Sequence, residues 1–166
     1  AHSVAQSMAL ARSVAGVEKL LWFCFAYQPS LPAGGYSLIR GGSATPAANA
    51  YATSAALLEG VTPAASRTQF SQGDCVDDAV WAWRFTYEHL FTLRSPIAAG
   101  ATSITVAFAT NGTECTASVR AAGGASATLV VRNAFGRVVK RDRGAVTLVV
   151  GDAPVYVVEL AQGEHT

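Results

Sequence analysis

Charge is scarce in this sequence. Of 166 residues, 14% are Asp, Glu, Lys or Arg, and the formal net charge is +1. So small a net charge argues against nucleic acid or an acidic membrane as the main partner. Also missing is an unbroken apolar run of about 18 residues, so no transmembrane helix is expected. The three histidines, His2, His89 and His165, are scattered, with neither metal-ligand spacing nor a Cys–His pairing. Gly34-Gly35 and Gly123-Gly124 read as turn glycines, not as a phosphate cradle. Ser, His and Asp occur without a nucleophile-elbow motif. No metal and no cofactor is therefore expected. No signal peptide is recognisable. The chain begins at Ala1, which reads as a mature, processed or partial product. There is no internal repeat.

What is present is apolar. Hydrophobic residues make up 51% of the chain, the mark of a globular protein with surface to bury. Ser3–Ala15 reads as a helix, with Ser3 placed to cap it, Gly16 to stop it, and Val4, Met8 and Ala11 on one face. Val17–Phe25 is a continuous apolar run with Glu18 and Lys19 at its start. It fits a strand buried on both faces, of the kind found in parallel sheets covered by helices. A glycine-containing loop, 27–42, follows. Thr45 then has the chemistry of an N-cap and Pro46 that of a first helical residue. The alanine-rich helix Ala47–Glu59 should pack through Tyr51, Ala55 and Leu58, with Gly60 as its C-cap.

The pattern changes after a linker expected over 61–74. Seven short strands are expected, at Val80–Tyr87, Ser103–Thr110, Thr116–Ala121, Ala127–Arg132, Arg137–Lys140, Val146–Val150 and Val155–Leu160. Asn133-Ala134-Phe135-Gly136 joins two of them as a hairpin turn. So many short strands with turn signals between them suggest an antiparallel β-sandwich.

Cys75 and Cys115 lie in polar, loop-like settings and are the pair expected to bridge, with Cys24 a small buried hydrophobe. Spacing alone does not establish the pairing. Asn111-Gly112-Thr113 is an N-glycosylation triplet in a turn-like setting, so Asn111 is a candidate glycosylation site. Together these features point to a secreted or cell-surface protein.

The first 60 or so residues resemble the end of a (β/α)8-barrel glycoside hydrolase of the retaining, two-glutamate superfamily. The resemblance lies in Val17–Phe25 with its cluster Trp22-Phe23-Cys24-Phe25, in Tyr36-Ser37-Leu38-Ile39, and in the helix entry Gly42–Tyr51. The second half resembles the β-sandwich that often follows such barrels. Phe135-Gly136, Val138-Val139, Val146–Val150 and Asp152–Val157 carry that likeness. The resemblance implies α/β plus all-β architecture: a C-terminal segment of a (β/α)8 barrel over 1–66 (helix–strand–helix), then a β-sandwich domain over 67–166. It also implies a partner, either the N-terminal remainder of the same protein or a companion chain. A whole barrel takes roughly 250 residues.

Retaining glycosidases use two carboxylates about 5 Å apart. In this superfamily they sit at the ends of strands four and seven, and none of Glu18, Glu59, Glu88, Glu114, Glu159 or Glu164 matches either position. No catalytic residue is therefore assigned. The resemblance places Trp22, Phe25, Tyr27 and Tyr36 at the sugar-binding end of the barrel strands, where aromatic faces would stack on carbohydrate. The plainer use of Trp22 and Phe25 is core filling. Trp81 and Trp83 share a strand face and read as sandwich core or domain interface before they read as a sugar platform. Asp74, Asp77 and Asp78 read as a solvated turn, since calcium needs six or more oxygens. Arg137, Lys140, Arg141 and Arg143 read as a solvated basic face, with an anionic polysaccharide as the sharper alternative. Two functions fit. One is a non-catalytic C-terminal part of a secreted glycoside hydrolase-like protein with carbohydrate contacts. The other is a structural glycoprotein module of an extracellular assembly.

Overall fold

The fold comes from a computed structural model that describes residues 1–14, 16–17, 20, 26–27, 37–62, 75, 80–87, 95–110, 112 and 114–161. It is mostly β-sheet, with two helices.

Helix α1 spans His2–Ser13 and α2 spans Pro46–Leu58. The α1 helix starts at Ala1 without a side-chain cap, so Ser3 does not perform that role. In α2 the expected cap forms: Thr45 Oγ1 accepts from Ala48 N at 3.3 Å, and its single proton is shared between the Ser37 and Leu38 carbonyls, both at 3.0 Å. The helix ends where Gly60 turns to φ +71°, a conformation cheap only for glycine. The buried face of α2 differs from the expected one. Leu58 is buried as expected, but so are Ala47, Ala50, Ser54 and Leu57, while Tyr51 and Ala55 are only half-buried. Tyr51 turns sideways to pack with Val4 of α1, Leu38 and Ala47.

Strands β1 (Ala26–Tyr27), β2 (Ile39–Arg40) and β3 (Ser43–Ala44) form a small sheet in which β1 pairs parallel to β2. The buried strand expected at Val17–Phe25 does not begin where the apolar run begins. Val17 and Leu20 lie outside any strand and are 40% and 39% exposed. The rest of that run lies outside the described residues. A partial barrel is not seen among them.

The remaining strands are β4 (Val61–Thr62), β5 (Val80–Tyr87), β6 (Ala101–Ala109), β7 (Cys115–Arg120), β8 (Thr128–Arg132), β9 (Val138–Arg143), β10 (Ala145–Val150) and β11 (Val155–Leu160). Six make one antiparallel sheet in the order β4-β5-β6-β11-β8-β9, and β10 pairs antiparallel with β7 in a second. The seven expected strands correspond to β5–β11. The linker expected from residue 61 begins later, because Val61 and Thr62 pair with Tyr87 and Thr86. A division after residue 66 thus separates β4 from β5, two strands of one sheet.

The six-stranded sheet is covered on both sides, which gives three layers. One face, with Trp83, Phe85, Ile104, Val106, Tyr156 and Val158, packs with Leu57 and Leu58 of α2 and Ala9 of α1. The other, with Ala82, Ala107, Leu129, Val131 and Val157, packs on Ala117, Val119, Val146, Leu148 and Val150 of β7 and β10. The inner strands β6 and β11 are accordingly buried along nearly their whole length, whereas β10 alternates exposed and buried residues. The chain passes from β9 to β10, and so between sheets, through Gly144. Its φ is +69°, and a Cβ there would lie 2.8 Å from Ala125 Cα.

Candidate functional site

The densest chemistry lies where the helices meet the sheet. Alternation on β5 sends Trp81, Trp83, Phe85 and Tyr87 to the helix side. Trp81 and Trp83 meet edge to face with centroids 5.8 Å apart, and Phe108 of β6 lies 5.8 Å from Trp83 and 6.3 Å from Trp81. Trp83 is buried; Trp81 is half-buried at the margin of this cluster. The pair thus forms an interface, as its spacing suggested.

Two phenols bolt α2 to this surface. Tyr87 donates to the Leu57 carbonyl. Tyr156 and Ser54 lie 2.6 Å apart. Ser54 gives its one proton to the Ala50 carbonyl at 2.8 Å, so Tyr156 is the donor between them. Burial pushes the Tyr156 phenol up to about 12, against the opposing pull of Ser54, and pushes Tyr87 up as well. Both are neutral at ordinary pH and serve as fasteners, not as acids or bases.

Glu159 is the one buried carboxylate among the described residues. Its Oε2 accepts from Ser103 Oγ at 3.1 Å and Ala122 N at 2.9 Å, and its Oε1 accepts from Gly123 N at 2.6 Å. Both oxygens are occupied in tying the β7–β8 loop to the sheet. The sequence signal was a lone charge in the apolar strand Val155–Leu160. No second buried carboxylate joins it among the described residues.

Several clefts open beside the helices. Met8, Ala11, Val17, Leu20 and Ala55, with the charged Arg12 and Glu59, line a largely apolar groove of about 690 Å³ along the helix pair. Asn49, Thr53, Asn133, Phe135 and Arg137 line a second cleft of about 610 Å³ between α2 and the β8–β9 turn. Sequence reasoning noticed the Asn133–Gly136 turn but not that α2 would face it.

Of the residues singled out from sequence, Cys75 and Cys115 are joined in a disulfide, Cα atoms 4.9 Å apart. Tyr27 lies on β1, opposite Arg40 of β2. Trp22, Phe25, Tyr36, Asn111, Cys24, Asp74, Asp77 and Asp78 lie outside the described residues, and so do His89 and His165. Three of the four residues of the expected sugar-stacking group thus lie outside the described residues. Among the described residues no helix is long and apolar enough to cross a membrane.

By class, the chain is a mostly-β protein with a helical layer on one sheet face. No family model matches it, and no curated protein does. Among solved structures it is weakly similar to a glycoside hydrolase family 27 β-L-arabinopyranosidase from Geobacillus stearothermophilus. The TM-score is 0.43 at 10% identity, over 69% of this chain and 23% of that one. A variant of that enzyme in complex with arabinose gives a TM-score of 0.42 at 8% identity, over 66% of this chain and 22% of that one. The chain thus spans less than a quarter of the length of either structure.

Proposed function

We propose that the chain is a non-catalytic C-terminal part of a secreted glycoside hydrolase-like protein. Its β domain carries the two helices that present an apolar surface to the rest of that protein. The observation that carries this reading is the two-sidedness of the helix pair. One side is fastened to the sheet by Phe85, Tyr87 and Tyr156. Away from those contacts Ala11, Val17, Leu20 and Ala55 line the largely apolar groove, which Met8 and Leu58 join to that core. Contiguous apolar surface of that kind marks a contact. The parallel β1–β2 pair supports the same reading, because parallel pairing belongs to sheets with covered faces. The disulfide supports an oxidising compartment. Carbohydrate contacts by Trp22, Phe25, Tyr27 and Tyr36 belong to this proposal, with catalytic carboxylates supplied from outside the chain.

The test is intact-mass analysis of the native protein under denaturing and non-denaturing conditions, followed by hydrolysis assays on nitrophenyl glycosides. The expected result is a tightly held section of more than about 200 further residues carrying two barrel glutamates, with hydrolysis only when it is present. A further section lacking those glutamates would favour a structural glycoprotein module. A native protein that is monomeric and no larger than this chain would overturn the proposal.

A further inference from the structure

The cleft between α2 and the β8–β9 turn has fixed walls. On one side α2 is fastened to the sheet by Tyr87 and Tyr156. On the other, the turn satisfies its own backbone. Asn133 N donates to the Arg137 carbonyl at 3.0 Å, and Gly136 N to the Asn133 carbonyl at 2.9 Å. Asn133 Oδ1 accepts from Phe135 N at 3.0 Å and Arg137 N at 3.1 Å. Arg132 Nη1 donates to the Gly136 carbonyl at 2.7 Å. The two walls touch at Gly136, where a Cβ would lie 3.3 Å from Thr53 Oγ1. A cleft held this way stands open before any ligand arrives, so little ordering accompanies binding.

With the turn's peptide groups committed, side chains make the lining. Thr53 is only 7% exposed, and no hydrogen bond engages its hydroxyl among the described residues. Water or a ligand in the cleft is therefore its partner. Asn133, its oxygen engaged twice, keeps two N–H donors. Asn49 offers both a donor and an acceptor, and the Phe135 ring is 42% exposed.

Charge is nearly absent. No carboxylate of the described residues lines the cleft, and its one cation, Arg137, is exposed, where solvent and salt screen it. An anion would find its only strong partner in that screened position. The more enclosed polar groups are two amides and a hydroxyl, all neutral. They are best met by neutral groups that donate and accept at once, as a sugar hydroxyl does. The exposed ring beside them matches the apolar C–H face of a pyranose. The volume of about 610 Å³ lies within the range of small-molecule clefts, about 300–1,000 Å³.

We propose that this cleft binds an uncharged sugar unit. Its apolar face lies on Phe135, its hydroxyl groups bond to Thr53, Asn49 and Asn133, and Arg137 donates to an oxygen at the opening. The site draws on nothing outside the described residues, so it stands or falls separately from the proposed function.

The test titrates the isotope-labelled full chain with the methyl glycosides of glucose, galactose, mannose and N-acetylglucosamine, following the side-chain amide signals of Asn49 and Asn133 by NMR. Glycerol serves as a polyol without a ring face, and glucuronate as the charged rival. At least one glycoside should shift both amides saturably, with a Kd of about 1–10 mM, as fits so small a ligand. Added salt should leave that Kd unchanged. Phe135→Ala should weaken binding by about fivefold or more without lowering the melting temperature, because the ring is exposed. Thr53→Val keeps the shape of the side chain but removes the hydroxyl, and should weaken binding by about threefold or more. Three results would overturn the proposal: no glycoside shifting those amides at about 0.1 M, equal shifts with glycerol, or unchanged affinity in Phe135→Ala. Tighter binding of glucuronate than of every glycoside would overturn the choice of an uncharged ligand.

Discussion

The two faces of the six-stranded sheet solve the same packing problem with different residues. Toward the helices the sheet presents Trp83, Phe85, Tyr87, Phe108 and Tyr156; toward the two-stranded sheet it presents Ala82, Ala107, Leu129, Val131 and Val157. The helices themselves explain the difference. The inward positions of α2 include Ala47, Ala50 and Ser54, and α1 contributes Ala5 and Ala9. Small helix residues leave volume that the sheet must fill, and rings fill it. Across the sandwich, β7 and β10 bring Val119, Val146, Leu148 and Val150, so the facing strands can be small. Core density is shared between partners, and large residues on one side go with small ones on the other.

Truncating Phe85, fully buried beneath α2, gives the largest expected effect. Phe85→Ala should cost about 3–5 kcal/mol in urea unfolding, because small helix residues cannot close the cavity. Val157→Ala, equally buried on the other face, should cost about 2 kcal/mol. The contrast between the faces is lost if the two costs are equal. Removing the disulfide with Cys75→Ala and Cys115→Ala should cost about 2–4 kcal/mol, since the bridge closes a long loop.

Raising pH tests the helix face alone. The unfolded chain ionises its phenols near pH 10, while the folded chain keeps Tyr156 neutral up to about 12. The contribution of this burial is fully present below pH 10 and is lost as pH rises through that window. Its loss should amount to about 1.4 kcal/mol per pH unit. Tyr87 acts in the same direction. Tyr156→Phe should flatten this alkaline limb, measured by urea unfolding across the window, and at neutral pH cost about 1 kcal/mol for the lost hydrogen bond. Thr45→Ala should cost about 1 kcal/mol through the α2 cap and leave the sandwich face unchanged by hydrogen exchange.

Much of this architecture was legible beforehand where a local rule acts alone. Thr45-Pro46 marks a helix start whatever lies beside it, and Asn133–Gly136 closes its turn with its own atoms. The candidate sites were less legible. Glu159 makes sense only once Ser103, Ala122 and Gly123 have been brought around it from two other segments. Phe135 and Arg137 form a cleft only because Asn49 and Thr53 of α2 stand opposite.

The sequence by itself determined the β-strand alternation, the turns, the α2 cap and the all-β second half, because each follows from backbone geometry and the chemistry of neighbouring residues. It did not determine which side of α2 is buried. An alanine-rich helix has little contrast around its circumference, so Tyr51 and Ala55 looked as good as Ala50 and Leu57. Nor did it place Val61 and Thr62 in the sheet or put Arg141 and Asp142 on opposite faces of it. Those outcomes depend on which strand pairs with which and in what register. A shift of one residue would exchange every side chain between the two faces, so only the tertiary structure decides them.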